Sequence, residues 1–292
     1  MNDITIINDF KTLELFCKEI IDSKTDMIGL DFEGEFNLHR YGIHLCLIQI
    51  AFDENIYIID PVVISDLSPL KVIFESTAIE KVIYACNIDV RLLKFTHDIH
   101  IKNIFDLRAA AIILRFEETG LSSLIYNNLG ISMEKDKKCQ KSNWNKRPLT
   151  EEQIEYAGND VLYLIPLRHT LLKQLNDFKI VKQFYNNCKR LEKEVFTEND
   201  NKYTRVSNYS SLSKNERIFL KHFYNAREAA AMKLNFPPFW VLGKDELVVV
   251  AKSPPKTIEE WAVVTNLKEK GATILDLFVE ATNKALEEIK KK

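Results

Sequence analysis

The strand-like segments of this chain crowd towards its beginning, and that order constrains the fold more than any single motif. Ile4–Ile7 is a short β-branched run, after which Asp9 can cap a helix reaching about Ser23, with Phe10, Leu13, Phe16 and Ile20 on one face. Met27–Phe32 (MIGLDF), Ile43–Phe52 (IHLCLIQIAF) and Asn55–Asp60 (NIYIID) read as strands, the last two joined by a turn at Asp53–Glu54, and the three together read as a meander. A helix over Leu67–Ser76, a strand over Lys81–Cys86, a short helix over Asp89–Phe95 and a short strand over Asn103–Asp106 follow. Asp106 is placed to cap a helix over Leu107–Leu114. From there to about Val195 the pattern is almost wholly helical, interrupted at Glu117–Gly120, at Gly130 and by the lysine-rich loop Lys135–Arg147. Strands first and helices interleaved afterwards predict an α/β fold, a mixed sheet covered by helices.

Phe196–Ser211 (FTENDNKYTRVSNYSS) is polar and without periodicity, which predicts a linker. Beyond it, helical segments over Lys214–Lys233, Asp245–Ala251, Thr257–Asn266 and Ala272–Lys291 are separated by Pro237–Pro238 and Pro254–Pro255. The expected division is therefore 1–196, a linker over 197–211, and a small all-helical domain over 212–292. In the helical part Trp240 and Trp261 are expected in the core. Charge follows the same division: the formal net charge of −2 separates into about −6 before Arg205 and about +4 from there on. A polyanion partner suits the second part without being demanded.

Cys17, Cys46, Cys86, Cys139 and Cys188 are scattered and unpaired in sequence, which argues against a disulfide framework and a zinc site. Cys17, Cys46 and Cys86 sit among apolar neighbours as small core fillers. The opening residues MNDITIINDF lack a signal-peptide layout, and no apolar run has the length of a membrane span. An intracellular, by default cytoplasmic, protein without a membrane partner is the expectation.

Two clusters of residue types suggest chemistry. Asp31 and Glu33 flank one phenylalanine at the end of an apolar strand, so alternation sends both carboxylates to one side of the sheet. Taken alone, they also fit a strand running out into solvent. In WNKRPLTEEQIEYAGNDVLYL (Trp144–Leu164), Thr150 followed by Glu151, Glu152 and Gln153 reads as a helix N-cap with acids in the first turn. Ile154, Ala157, Val161 and Leu164 form its apolar face, and Tyr156 and Asp160 project together from another side, one turn apart. Asp89, at a strand-to-helix junction, is either a cap or a ligand at the carboxyl end of a strand. Four carboxylates on three separated elements suit two hard divalent cations, which take oxygen ligands; the lack of histidine in the set disfavours zinc. No GxxxxGK[ST] loop is present, which disfavours nucleotide triphosphate hydrolysis of the P-loop kind.

Asp31-x-Glu33, then Asp89, then Tyr156-x-x-x-Asp160 resembles the DEDD exonuclease superfamily in its tyrosine-containing (DEDDy) branch. LGISMEK at Leu129–Lys135 and NWNKRPLTEEQIEYAGNDVLYL at Asn143–Leu164 are similar to ribonuclease D and the related nuclear exosome exonuclease. Arg227–Ala231, Pro237–Pro238, VLGKDEL at Val241–Leu247, and Pro255 with Thr257 resemble an HRDC domain. The likeness covers 26–175 strongly and 210–290 more moderately. It implies a ribonuclease H-like sheet plus a small all-helical HRDC-like domain. It implies also that Asp31, Glu33, Asp89 and Asp160 hold two Mg²⁺ or Mn²⁺ ions, one generating a water nucleophile and one steadying the departing 3′ oxygen. Tyr156 would aim that water at the terminal phosphodiester of a nucleic acid with a free 3′ end, RNA favoured over DNA, releasing nucleoside 5′-monophosphates. A DNA-directed exonuclease with the same site, and a catalytically silent nucleic-acid-binding scaffold, are the alternative readings.

The loop before that helix supplies the candidates for substrate contact. Lys135, Lys138, Lys141 and Arg147 are placed to meet phosphates along the incoming strand, or to solvate a loop. Trp144 is placed to stack a base, or to anchor the loop.

Overall fold

Every residue of the third strand from Leu45 to Phe52 is buried, so that strand is covered on both faces and lies inside a sheet. The computed structural model describes residues 4–133, 137–196, 202–265, 267 and 272–291. Its six-stranded sheet comprises β1 (Ile4–Ile7), β2 (Met27–Phe36), β3 (Ile43–Phe52), β4 (Asn55–Ile59), β5 (Glu80–Ile83) and β6 (Ile104–Asp106), in the order β1-β4-β3-β2-β5-β6. β3 and β4 pair antiparallel, with Gln49 opposite Ile58 and Ala51 opposite Ile56, whereas β1 runs parallel to β4, and β5 parallel to both β2 and β6. The sheet is mixed, as its strand order predicts.

Helices α1 (Phe10–Asp22), α2 (Lys71–Phe74), α3 (Asn87–His97), α4 (Leu107–Ile113), α5 (Leu121–Leu129), α6 (Lys137–Gln140), α7 (Glu151–Leu162), α8 (Leu164–Asp177) and α9 (Val181–Leu191) surround it. α1 starts where Asp9 accepts the Thr12 backbone N–H, and it buries Leu13, Phe16, Cys17 and Ile20. The helix expected over Leu67–Ser76 is shorter: Ser68–Leu70, with Pro69 at its second position, forms a single 3₁₀ turn, and only Lys71–Phe74 is α-helical. The helix expected to run through Leu164 breaks at Tyr163, and Leu164 opens α8 instead. α8 and α9 are tied to β5 through Glu80, whose carboxylate accepts from Arg168 (2.7 Å) and from the Tyr185 hydroxyl (2.8 Å).

The chain forms two compact units, Met1–Glu35 with His44–Phe196, and Phe36–Ile43 with Thr197–Lys292. In the second, α10 (Lys214–Leu234), α11 (Pro238–Val241), α12 (Lys244–Lys252), α13 (Ile258–Val264) and α14 (Ala272–Lys290) build an all-helical core. Trp261 lies at its centre, ring centroids 4.8 Å from Phe223 and 4.9 Å from Phe278, with its indole N–H donated to Thr282. Trp240 departs from expectation: it is 46% exposed, because the one-turn α11 after Pro237 leaves it in edge-on contact with Phe236 and Phe239 at the surface. Within the expected linker, Lys202–Arg205 and Tyr209–Ser211 form 3₁₀ turns, and Val206 is buried in this core.

Gly29 on β2 is where the helical layer comes closest to the sheet. A Cβ there would stand 3.1 Å from Ala51 Cβ, 3.4 Å from the Val161 carbonyl oxygen and 3.5 Å from Leu164 Cβ. The α7–α8 junction can rest on β2 only because this position has no side chain. Gly29→Val should therefore destabilise the first unit by about 2–3 kcal/mol through overpacking, measured by urea unfolding against the parent chain.

Candidate active site

Because Gly29 faces α7 and α8, alternation along β2 turns Asp31 and Glu33 to that same side. Above them lies α7, begun by a reciprocal capping box: Thr150 Oγ1 accepts the Gln153 N–H (3.2 Å), and Gln153 Oε1 accepts the Thr150 N–H (3.0 Å). Ala157, Gly158 and Val161 are buried against the sheet, and a Cβ on Gly158 would come within 2.8 Å of Ile4 Cδ1. That seating brings Asp160 down to the sheet, and carboxylate oxygens of Asp31, Glu33 and Asp160 all lie within 4.8 Å of one another. The Tyr156 hydroxyl, one turn earlier, hydrogen-bonds to the Asp160 carboxylate.

Asp89 stands in the first turn of α3, near enough for its charge to act on Asp31 and Glu33. It is not a cap: Cys86 occupies the cap position, and its backbone N–H donates to Asp106 Oδ2 at 2.8 Å. The other oxygen of Asp106 accepts the Ala109 N–H, also at 2.8 Å, so one buried carboxylate holds the beginnings of both α3 and α4. Asp89 stands outside the 4.8 Å group, yet its charge raises the proton affinity of Asp31 and Glu33.

Crowding and burial govern the electrostatics. Burial, then the charges of Asp160, Asp89 and Glu33, pushes the Asp31 carboxyl well above the usual range; burial with Asp160 and Asp89 does the same to Glu33. Asp89 is raised to about 7 by burial and by Asp106, and Asp160 to about 6 by burial, with the Tyr156 hydrogen bond acting in the opposite direction. Burial and the adjacent carboxylates push the Tyr156 phenol upward too, so it stays protonated at neutral pH. Among the described residues the ion pairs include none of the four carboxylates. An all-oxygen donor set without a balancing cation fits a hard divalent ion.

The other sequence candidates fall in different places. Trp144 is 3% exposed, with its ring centroid 6.0 Å from that of Tyr156, so it backs the phenol from inside the unit. Arg147 is clamped to Asp60 through Nε (2.5 Å) and Nη2 (2.6 Å), and donates also to the carbonyls of Cys46 (2.9 Å) and Trp144 (2.7 Å). It ties the loop to β3 and to the end of β4; an acid directly after the apolar run NIYII was the available sign of this pairing. Lys138 and Lys141 are exposed, Lys138 beside Glu152, while Lys135 lies outside the described residues. Asp106 is legible in the sequence as a cap for α4, whereas its second bond, to the Cys86 backbone at the start of α3, has no sequence signature.

Residues 4–176 match the family of 3′–5′ exonuclease domains. Ribonuclease D of Desulfotalea psychrophila is 30% identical over 277 residues, covering 91% of this chain and 74% of that protein. The chain belongs to the ribonuclease D family of 3′–5′ exonucleases. Two solved structures share its fold. One is the catalytic core of RRP6 from Trypanosoma brucei, with a TM-score of 0.83 and 20% identity, covering 98% of this chain and 81% of that one. The other is Escherichia coli RNase D, with a TM-score of 0.76 and 23% identity, covering 96% and 75%. The activity that follows is that of a 3′–5′ exoribonuclease. Among the described residues, no helix is long and apolar enough to cross a membrane.

The raised carboxylates fix the sign of a stability effect. With folded values of about 6 for Asp160 and about 7 for Asp89, the folded state binds more protons than the unfolded one as pH rises from the ordinary carboxylate range to neutrality. Their contribution to stability is present at low pH and lost across that window. The unfolding temperature in EDTA should thus fall by several degrees between pH 5 and pH 8, and Mn²⁺ should restore more of it at pH 8 than at pH 5. Scanning calorimetry at the two pH values checks both signs.

Proposed function

We propose that this exonuclease removes nucleotides one at a time from the 3′ end of single-stranded RNA, with two divalent cations, Mg²⁺ or Mn²⁺, held by Asp31, Glu33, Asp89 and Asp160. The observation that carries the reading is the convergence of Asp31, Glu33 and Asp160 within 4.8 Å, with raised proton affinities and no counter-charge among the described residues. Four acids packed for stability alone would be an unfavourable arrangement. Cations bound there would lower the pKa of the attacking water and stabilise the departing 3′ oxygen.

The chain's own groups then have separable tasks. Asp31 and Glu33 enter from one rigid strand, and Asp160 from a helix seated on it, so their spacing is set by backbone packing. Tyr156 keeps its proton, and thus acts as a hydrogen-bonding group that orients water rather than as a base. Trp144 supports that ring from behind. Lys138 and Lys141, exposed on the loop before α7, are our candidates for backbone phosphate contacts.

We assign residues 1–196 to the exonuclease domain, 197–211 to a linker, and 212–292 to an HRDC-like domain whose basic balance suits a nucleic-acid strand. Preference for RNA over DNA rests on the ribonuclease D relationship, and the product is a nucleoside 5′-monophosphate. A cytoplasmic location goes with this reading.

Asp31→Asn and Asp160→Asn should each cut Mn²⁺-dependent shortening of a 5′-labelled, 3′-OH single strand by more than ~100-fold, with an intact unfolding transition. Full activity in either variant removes that residue from the metal set. Tyr156→Phe should retain Mn²⁺ binding by calorimetry and lose on the order of 100-fold in single-turnover rate; an unchanged rate refutes the water-orienting role. Matched RNA and DNA strands digested side by side should show faster loss of the RNA.

A further inference from the structure

The strand next to the acidic cluster carries a buried polar side chain with nothing to bind. Gln49 lies in the middle of β3, in the run Ile48–Gln49–Ile50, at 0% exposure, and neither Oε1 nor Nε2 has a hydrogen-bond partner. Buried carboxamides in folded proteins are almost always paired, so an orphan calls for an explanation.

Its place in the sheet supplies one. β2 and β3 are neighbours joined by a short connection, residues 37–42, and such a connection makes them antiparallel. Gly29 and Ala51 meet across them, a Cβ on Gly29 lying 3.1 Å from Ala51 Cβ. Two residues further along β2 and two back along β3, on the same face, the pair becomes Asp31 and Gln49. On its other side Gln49 is opposite Ile58 of β4, which packs with Ala157 of α7. The carboxamide is therefore enclosed between Asp31, an isoleucine and the helix that carries Asp160. Asp31 is its cross-strand polar neighbour, and an ionised carboxylate only accepts hydrogen bonds.

We propose that Gln49 is a positioning residue of the metal site, whose Nε2–H donates to the Asp31 carboxylate and thereby fixes which oxygen turns towards the cation. The inference rests on the metal-holding role given above to Asp31. Groups that orient a metal ligand in this way contribute about 10- to 100-fold in metal affinity. Replacing a buried, unpartnered carboxamide by an apolar side chain of the same shape is neutral or stabilising for the fold. The two properties separate a positioning role from a structural one.

The test uses the full chain with Gln49→Met, which matches the side chain in length and removes its hydrogen-bonding atoms. Mn²⁺ binding is measured by calorimetry, and unfolding temperature in EDTA beside it. The proposal expects an unfolding temperature in EDTA equal to or above the parent, Mn²⁺ binding weaker by about 10- to 100-fold, and an unchanged KM for RNA at saturating Mn²⁺. Mn²⁺ affinity within about twofold of the parent overturns it. So does a loss of affinity that only accompanies a loss of stability in EDTA. Gln49→Asn, which keeps the amide and shortens its reach, guards against a misfolded methionine variant: it should weaken Mn²⁺ binding too, and parental affinity overturns the proposal. A parent chain that binds no Mn²⁺ would instead overturn the metal-site reading beneath it.

Discussion

Everything at the active end of this protein depends on holding like charges together. Asp31, Glu33 and Asp160 are brought within 4.8 Å, with Asp89 near enough to raise two of them, and burial adds to the repulsion. Hydrogen bonds offset only part of this: the Tyr156 hydroxyl donates to Asp160, the Phe32 backbone N–H to the Asp31 carboxylate, and the Asp89 carboxylate accepts its own backbone N–H. Packing elsewhere provides the restraint: β3 buried on both faces, α7 capped at its start and resting on Gly29 and Ile4, and Asp106 fastening the helix that carries Asp89. The sheet and its helices act as a frame that is stable enough to keep an unfavourable constellation in place, which is how preorganised sites are built.

The same restraint explains the surroundings of the cluster. Arg147, with four separate acceptors among Asp60, Cys46 and Trp144, locks the loop that leads into α7. Trp144 then packs behind Tyr156. A displaced α7 would move Asp160 and the phenol together, so the loop governs two groups at once. On our reading this is why so much buried polar bonding lies beside a helix of only three turns.

The legible part of this protein was the part written in local pattern. Strand order, the capping box at Thr150, the spacing of Tyr156 and Asp160, the cap at Asp106 and the buried cysteines all follow from residues close in sequence. What escaped depends on pairings between distant residues. Asp89 could be a cap or a ligand, and the choice rests on Asp106 taking the Cys86 N–H twenty residues earlier. The basic character of Arg147 suggested phosphate contact, whereas a carboxylate 87 residues away holds it. Gln49 sits in a strand otherwise apolar from Leu45 to Phe52, and only the strand register that brings Gly29 against Ala51 sets it across from Asp31. Trp240 was expected inside because tryptophan is apolar, and a proline-started single turn left it outside.

The central claim is that these carboxylates exist to hold divalent cations. Anomalous scattering from a crystal of the protein grown with Mn²⁺ tests it most directly. The account predicts two manganese peaks among Asp31, Glu33, Asp89 and Asp160. Density at the cluster without manganese, or manganese bound only elsewhere, would contradict it.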